Sequence, residues 1–153
     1  MSKDEHDITQ TLELVNEEWQ KFLNVTRLFS KEEQTTIYLI EAWTIKDLLG
    51  HIATWDRETL LNMERFQKGE KETQYRAIDD RNKAASDLKS GFSLEQAWVD
   101  LEGCHQKLID YLKALPQELL ESRRYSQRQI LGETINHYKE HREGVERWRT
   151  THE

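Results

Sequence analysis

One proline and six glycines in 153 residues constrain this chain more than any other feature. Sandwiches and barrels of short strands turn often, and glycine and proline are the residues that make those turns. An all-β fold is therefore disfavoured, and long helices are the natural alternative. The length is that of a single domain, 1–153, enough to build a real core. With 29 acidic and 22 basic residues the formal charge is −7, which argues against a phosphate-binding surface and against nucleic acid as a partner. The start, Met1 to Asp7, is polar and acidic, and no apolar run approaches the ~20 residues of a membrane span. The expectation is a cytoplasmic protein that does not engage membranes. The single cysteine, Cys104, leaves no intramolecular disulfide and no all-cysteine metal site within one chain.

The hydrophobic pattern divides the chain into helices. Leu12, Val15, Trp19, Phe22 and Leu23 recur by threes and fours, which predicts an amphipathic helix from about Ile8 to Arg27. Ser30 to Glu33 fits a capping box that opens a short turn, and Thr35 to Trp43 reads as an irregular connection. Thr44 with Asp47 forms a second capping box, so a long helix is predicted over 45–67, stopping before Gly69. A short helix fits Asp79 to Lys89. Ser93 with Gln96 opens another long helix, which Leu115-Pro116 halts. Gln117 to Gln129 is mostly polar, and a last helix is expected from about Ile130 to Trp148. Long helices of roughly 20 residues span ~30 Å each, a length suited to an all-α four-helix bundle.

Six histidines stand at 6, 51, 105, 137, 141 and 152. His6 and His152 fall in tails, and His105 beside Cys104 points about 100° away from it on a helix, so that pair cannot readily chelate one ion. His137-Tyr-Lys-Glu-His141 differs, because i and i+4 stack on one helical face and aim two imidazoles at a common point. It is not the protease motif H-E-x-x-H, since Tyr138 follows His137. His51 lies among Leu48, Ile52 and Trp55 on the inward face of the second long helix, where it serves either as a hydrogen-bonded core residue or as a third ligand. Three histidines with an open position are the usual catalytic arrangement for zinc, and imidazole also suits nickel and iron.

Two stretches carry a resemblance: Trp43-Thr-Ile-Lys-Asp-Leu-Leu-Gly-His51-Ile-Ala-Thr-Trp-Asp-Arg57 and Thr134-Ile-Asn-His137-Tyr-Lys-Glu-His141, with Arg81-Asn82 between them. The chain resembles the DinB-like superfamily of four-helix proteins, the group containing the ClbS/DfsB family, the bacillithiol transferases and the mycothiol-dependent maleylpyruvate isomerases. The resemblance implies an up-down-down-up bundle, a homodimer, and a divalent metal held by His51, His137 and His141. Zinc or nickel is the expected ion, with iron as the alternative. It also implies a small-molecule substrate, and a low-molecular-weight thiol as possible cosubstrate.

The leading functional expectation is a metal-dependent hydrolase or thiol-dependent transferase acting on a small electrophilic or toxic molecule. Glu58, two turns after His51, is the candidate general base, its alternative being a solvated surface glutamate. Trp55, one turn from His51, is the candidate pocket wall, or plain core packing. Tyr138 is a weaker candidate proton donor, and Cys104, mid-helix without an identifiable base, reads as structural. Two other readings stay open. One is a binding or resistance protein that sequesters a toxic molecule without turnover; the other is a chain whose histidines merely pack and which acts through oligomerisation.

Overall fold

The computed structural model describes residues 8–39, 43–70, 78–116, 118 and 132–152, and its described residues are helical throughout apart from turns and connections. Among the described residues six helices can be bounded: α1 (Ile8–Thr26), α2 (Lys31–Thr36), α3 (Ile45–Gln67), α4 (Ile78–Lys89), α5 (Leu94–Lys113) and α6 (Asn136–Thr151). None of them is long and apolar enough to cross a membrane.

The helix starts are set by the residues the sequence marks. Ser30, Thr44 and Ser93 each cap a helix with an extended backbone and a reciprocal capping box, to Glu33, Asp47 and Gln96 respectively. Such a cap satisfies two backbone N–H groups that no helical turn can reach, worth about 1 kcal/mol. α3 ends as Gly69 takes a positive φ of 78°. Glu70 N–H then donates to Arg65 C=O at 2.8 Å and Gly69 N–H to Phe66 C=O at 3.0 Å, the paired bonds of a Schellman end. Between α2 and α3 the described residues 37–39 and 43–44 are not helical, although Thr35 and Thr36, expected in the irregular connection, belong to α2. Their hydroxyls donate to Glu32 C=O at 3.0 and 2.9 Å, which holds the short helix one turn longer.

α6 starts differently. Residues 132–135 wind as a π-helical turn that runs directly into it, with Ile135 still at φ −62°, ψ −50° and no side chain capping it. The helix continues to Thr151, three residues beyond Trp148, where its expected end lay. The expected start at Ile130 and most of the polar stretch 117–129 lie outside the described residues.

α3 packs chiefly against α5 and also against α4, while α1 packs against α6 and α5. Their inward stripes are regular: Val15, Trp19 and Phe22 on α1, and Ala97, Leu101, Leu108 and Leu112 on α5, are buried. Each large apolar side chain buried this way contributes about 1.5–3 kcal/mol. On α3 the stripe changes character, from Leu48, Leu49 and Ile52 to the buried polar residues Asp56, Thr59 and Asn62. Two polar ties fix the helices that carry the histidines. Lys89 Nζ, at the end of α4, donates to Gly50 C=O at 3.2 Å and to Asp100 Oδ2 at 2.7 Å, clamping α3 at the residue before His51. A Cβ at Gly50 would come within 3.2 Å of Lys89 Cδ, so glycine permits that close approach. Arg142 on α6 donates to Glu18 on α1 at 3.0 Å, both side chains 13% exposed, beside His141.

Candidate metal centre

Three imidazoles from two helices meet at one point. Thr44 fixes the start of α3, which places His51 seven residues later, two turns along, on its inner side. α6 supplies His137 and His141 from successive turns. His51 Nε2 and His137 Nε2 are 3.0 Å apart, and His141 Nε2 and His137 Nε2 are 2.9 Å apart. One ring nitrogen from each of the three lies within 4.8 Å of the others. The rings stand edge to face, with interplanar angles of 68°, 78° and 77°, so that nitrogen edges rather than ring faces converge. Trp43 backs His51 with ring centroids 4.7 Å apart. Behind it, Asn82 Oδ1 accepts from Trp55 Nε1 at 2.7 Å, and the Asn82 side chain also hydrogen-bonds the His51 ring.

Burial keeps these rings uncharged. His51 is pushed down to about 3, first by desolvation and then by His141, against the smaller opposing effect of the Asn82 hydrogen bond. His137 is held well below the ordinary histidine value by desolvation, and the repulsion that a proton on His141 or His51 would exert works in the same direction. His141 is lowered by burial, with the Glu140 carboxylate opposing. Neutral rings cannot satisfy this arrangement by hydrogen bonding alone. A ring nitrogen carries either one proton or one in-plane lone pair, yet His137 Nε2 has two ring nitrogens within hydrogen-bonding distance. A cation that accepts all three lone pairs resolves that conflict, and three imidazoles are the donor set that divalent zinc, nickel or iron takes. His137 Nδ1 is buried with no partner among the described residues, consistent with Nε2 being the nitrogen at work.

A family model, that of the DinB superfamily, matches residues 14–144, a span that contains all three histidines. The chain belongs to the DinB superfamily. No curated protein and no solved structure matches it.

Beside the three histidines this DinB-superfamily protein has an open cavity of about 310 Å³, whose walls include His51, His137, Trp55, Ile78, Asn82 and Asn136. Two carboxylates, Glu133 and Glu140, also line it. Trp55, the candidate pocket wall, is among the residues that line this cavity. Glu58 is turned to another partner: its Oε1 accepts from Arg81 at 3.1 Å, and it is not among the described lining residues. Tyr138 points away from the cavity into the core, fully buried, and donates to Asp56 Oδ2 at 2.5 Å. Cys104 is half-buried, and desolvation raises its thiol, with Asp100 reinforcing this, which disfavours a thiolate. His152 stacks on Trp148, and His6 lies outside the described residues. The cavity carboxylates were not expected from the sequence, although one signal for Glu133 is present in it. Glu133 precedes His137 by four residues as His137 precedes His141, so the three form one i, i+4, i+8 row.

Proposed function

We propose that the protein is a metal-dependent enzyme that uses His51, His137 and His141 to hold a divalent ion, zinc or nickel before iron, and acts on a small electrophilic molecule in the adjoining cavity. The observation that supports this is the convergence of three neutral imidazole nitrogens that cannot all be satisfied by one another. A bound divalent ion supplies Lewis-acid chemistry: it polarises a substrate oxygen, or lowers the pKa of a water or thiol so that a nucleophile is available near neutral pH. The remaining roles fall to the chain. Trp55 and Ile78 provide apolar walls, Asn136 offers hydrogen bonds, and Glu133 or Glu140 is the carboxylate placed to take up a proton from the nucleophile. Glu58 in this reading fixes Arg81, next to Asn82, and so steadies the His51 ring from outside.

Within the superfamily the reading is that of the thiol-dependent transferases, on an up-down-down-up four-helix core, with a low-molecular-weight thiol as second substrate. The alternative is a ClbS/DfsB-type resistance protein that holds a toxic molecule in the same cavity without turnover. The experiment is to load the protein with zinc or nickel and present 1-chloro-2,4-dinitrobenzene with cysteine, and separately a nitrophenyl ester. In the first reaction the thiol sulfur bonds to the ring carbon, chloride leaves and the thiol proton goes to solvent. Turnover that disappears in His137→Ala and falls in Glu133→Gln or Glu140→Gln supports the enzyme reading. Tight stoichiometric retention of the electrophile with no product favours the binding protein, and turnover unchanged by His137→Ala contradicts both roles for the centre.

A further inference from the structure

A second groove, between α1 and α5, shares no lining residue with the cavity beside the three histidines. Its volume is about 370 Å³, within the range of small-molecule sites. Trp19, Leu12 and Ile109 give it an apolar side, and Asn16, His105 and Lys113 a polar one. His105 is only 8% exposed, and its ring lies flat on Trp19, with centroids 3.7 Å apart and 5° between planes. Its Nδ1 is 2.8 Å from the Tyr138 hydroxyl, while its Nε2 has no partner among the described residues. Lys113 likewise forms no ion pair among the described residues. It is the one lysine or arginine among the described lining residues, two turns after His105, and its stem leans back toward that turn because helical side chains tilt toward the N-terminus.

We propose that this groove is a second binding site, for a small organic acid with an apolar body, whose carboxylate is recognised by His105 Nε2–H and by the Lys113 ammonium. A ring nitrogen without a partner among the described residues and a cation, both lining one groove, are complementary to a carboxylate, and the Trp19 side to an aromatic or aliphatic body.

The donor state of His105 is set from inside the core. Asp56, Tyr138 and His105 form a continuous chain across α3, α6 and α5, with contacts of 2.5 and 2.8 Å. When Asp56 is protonated it can donate to Tyr138, Tyr138 to His105 Nδ1, and the ring then carries its proton on Nε2, facing the groove. When Asp56 is ionised the polarity reverses: Tyr138 donates to Asp56, His105 Nδ1–H donates to Tyr138, and Nε2 presents a lone pair that repels a carboxylate. The two states differ by one proton, taken up at Nε2 and stored on Asp56. Burial supports storage there, since desolvation pushes the Asp56 carboxyl up to about 7 and its Oδ1 has no partner among the described residues. The ring itself stays neutral, being lowered by burial to about 4. The titratable groups facing this chain are Cys104 on α5, with Lys89 and Asp100 beyond it, and Lys113 at the groove.

Benzoate is the probe, benzamide its uncharged control, and ring ¹⁵N and indole N–H resonances of the full-length protein the readout. Benzoate is expected to shift His105 and Trp19 saturably while leaving His51 and His141 in place, with benzamide binding more weakly. Lys113→Ala should weaken benzoate about tenfold. Between about pH 6 and pH 8 wild-type affinity should fall about tenfold, whereas Asp56→Asn, whose amide donates to Tyr138 at any pH, should bind equally at both. No saturable shift at His105 and Trp19, or shifts confined to His51 and His141, overturns the proposal. So does benzoate affinity that Lys113→Ala leaves intact, a variant that removes only an exposed side chain and keeps the test decisive if Asp56→Asn fails to fold.

Discussion

Acidifying the metal-free protein from about pH 7 to about pH 4 is expected to remove several kcal/mol of its stability, a large share of the ~5–15 kcal/mol typical of a folded domain. Burial lowers His51 to about 3 and His105 to about 4, and lowers His137 and His141 as well. In the unfolded chain the same rings titrate near ~6.5. Below that pH the unfolded state binds more protons than the folded one, so stability present above pH ~6.5 is lost as pH falls toward the folded values. Asp56 acts with the opposite sign. Its folded value is raised, so the native state gains relative stability as pH falls from about 7 toward ~3.9. One aspartate opposes four histidines, and the histidines win. The check is the urea midpoint at about pH 7 and about pH 4 in the presence of a chelator; an unchanged midpoint would show that the rings are not held neutral by burial. Zinc should raise the midpoint at pH 7, and that increment should fade on acidification as protons compete for the same lone pairs.

Replacing His137 with alanine is expected to cut zinc affinity by at least about 100-fold, more than loss of a residue that merely orients a ligand. Its Nε2 is the one that approaches both others, at 3.0 and 2.9 Å, so its removal leaves two rings without their shared neighbour. His105→Gln, which alters a buried histidine outside the cluster, should leave zinc affinity within about threefold. Competition against a chromophoric chelator measures both. Equal losses in the two variants would mean that affinity follows general stability rather than the convergent nitrogens.

Much of this was legible in the sequence where the signal is local. α3 runs from Ile45 to Gln67 as the Thr44–Asp47 box and Gly69 indicated, and α5 begins at Leu94 as Ser93 and Gln96 indicated. The His137–His141 face follows from helical spacing alone, and His51 from its position within the inward stripe of α3. The start of α6 was not legible, because a π turn enters it without a capping side chain. Nor was the Asp56–Tyr138–His105 chain, whose members lie 82 and 33 residues apart and meet only through packing. A trace of it was present in Asp56, an acid four residues after Ile52 on the inward stripe of α3. The partnership of Glu58 with Arg81, 23 residues on, likewise depends on how α4 lies against α3.

His51, His137 and His141 are expected to hold one divalent ion between them. Elemental analysis of untagged protein purified without chelating resin, alongside His51→Ala and His141→Ala variants shown to be folded by circular dichroism, tests it most directly. The expected result is about one zinc, nickel or iron per chain in the wild type and loss of that ion in both variants. Wild-type protein that takes up no metal even after reconstitution, or variants that retain it, would contradict it.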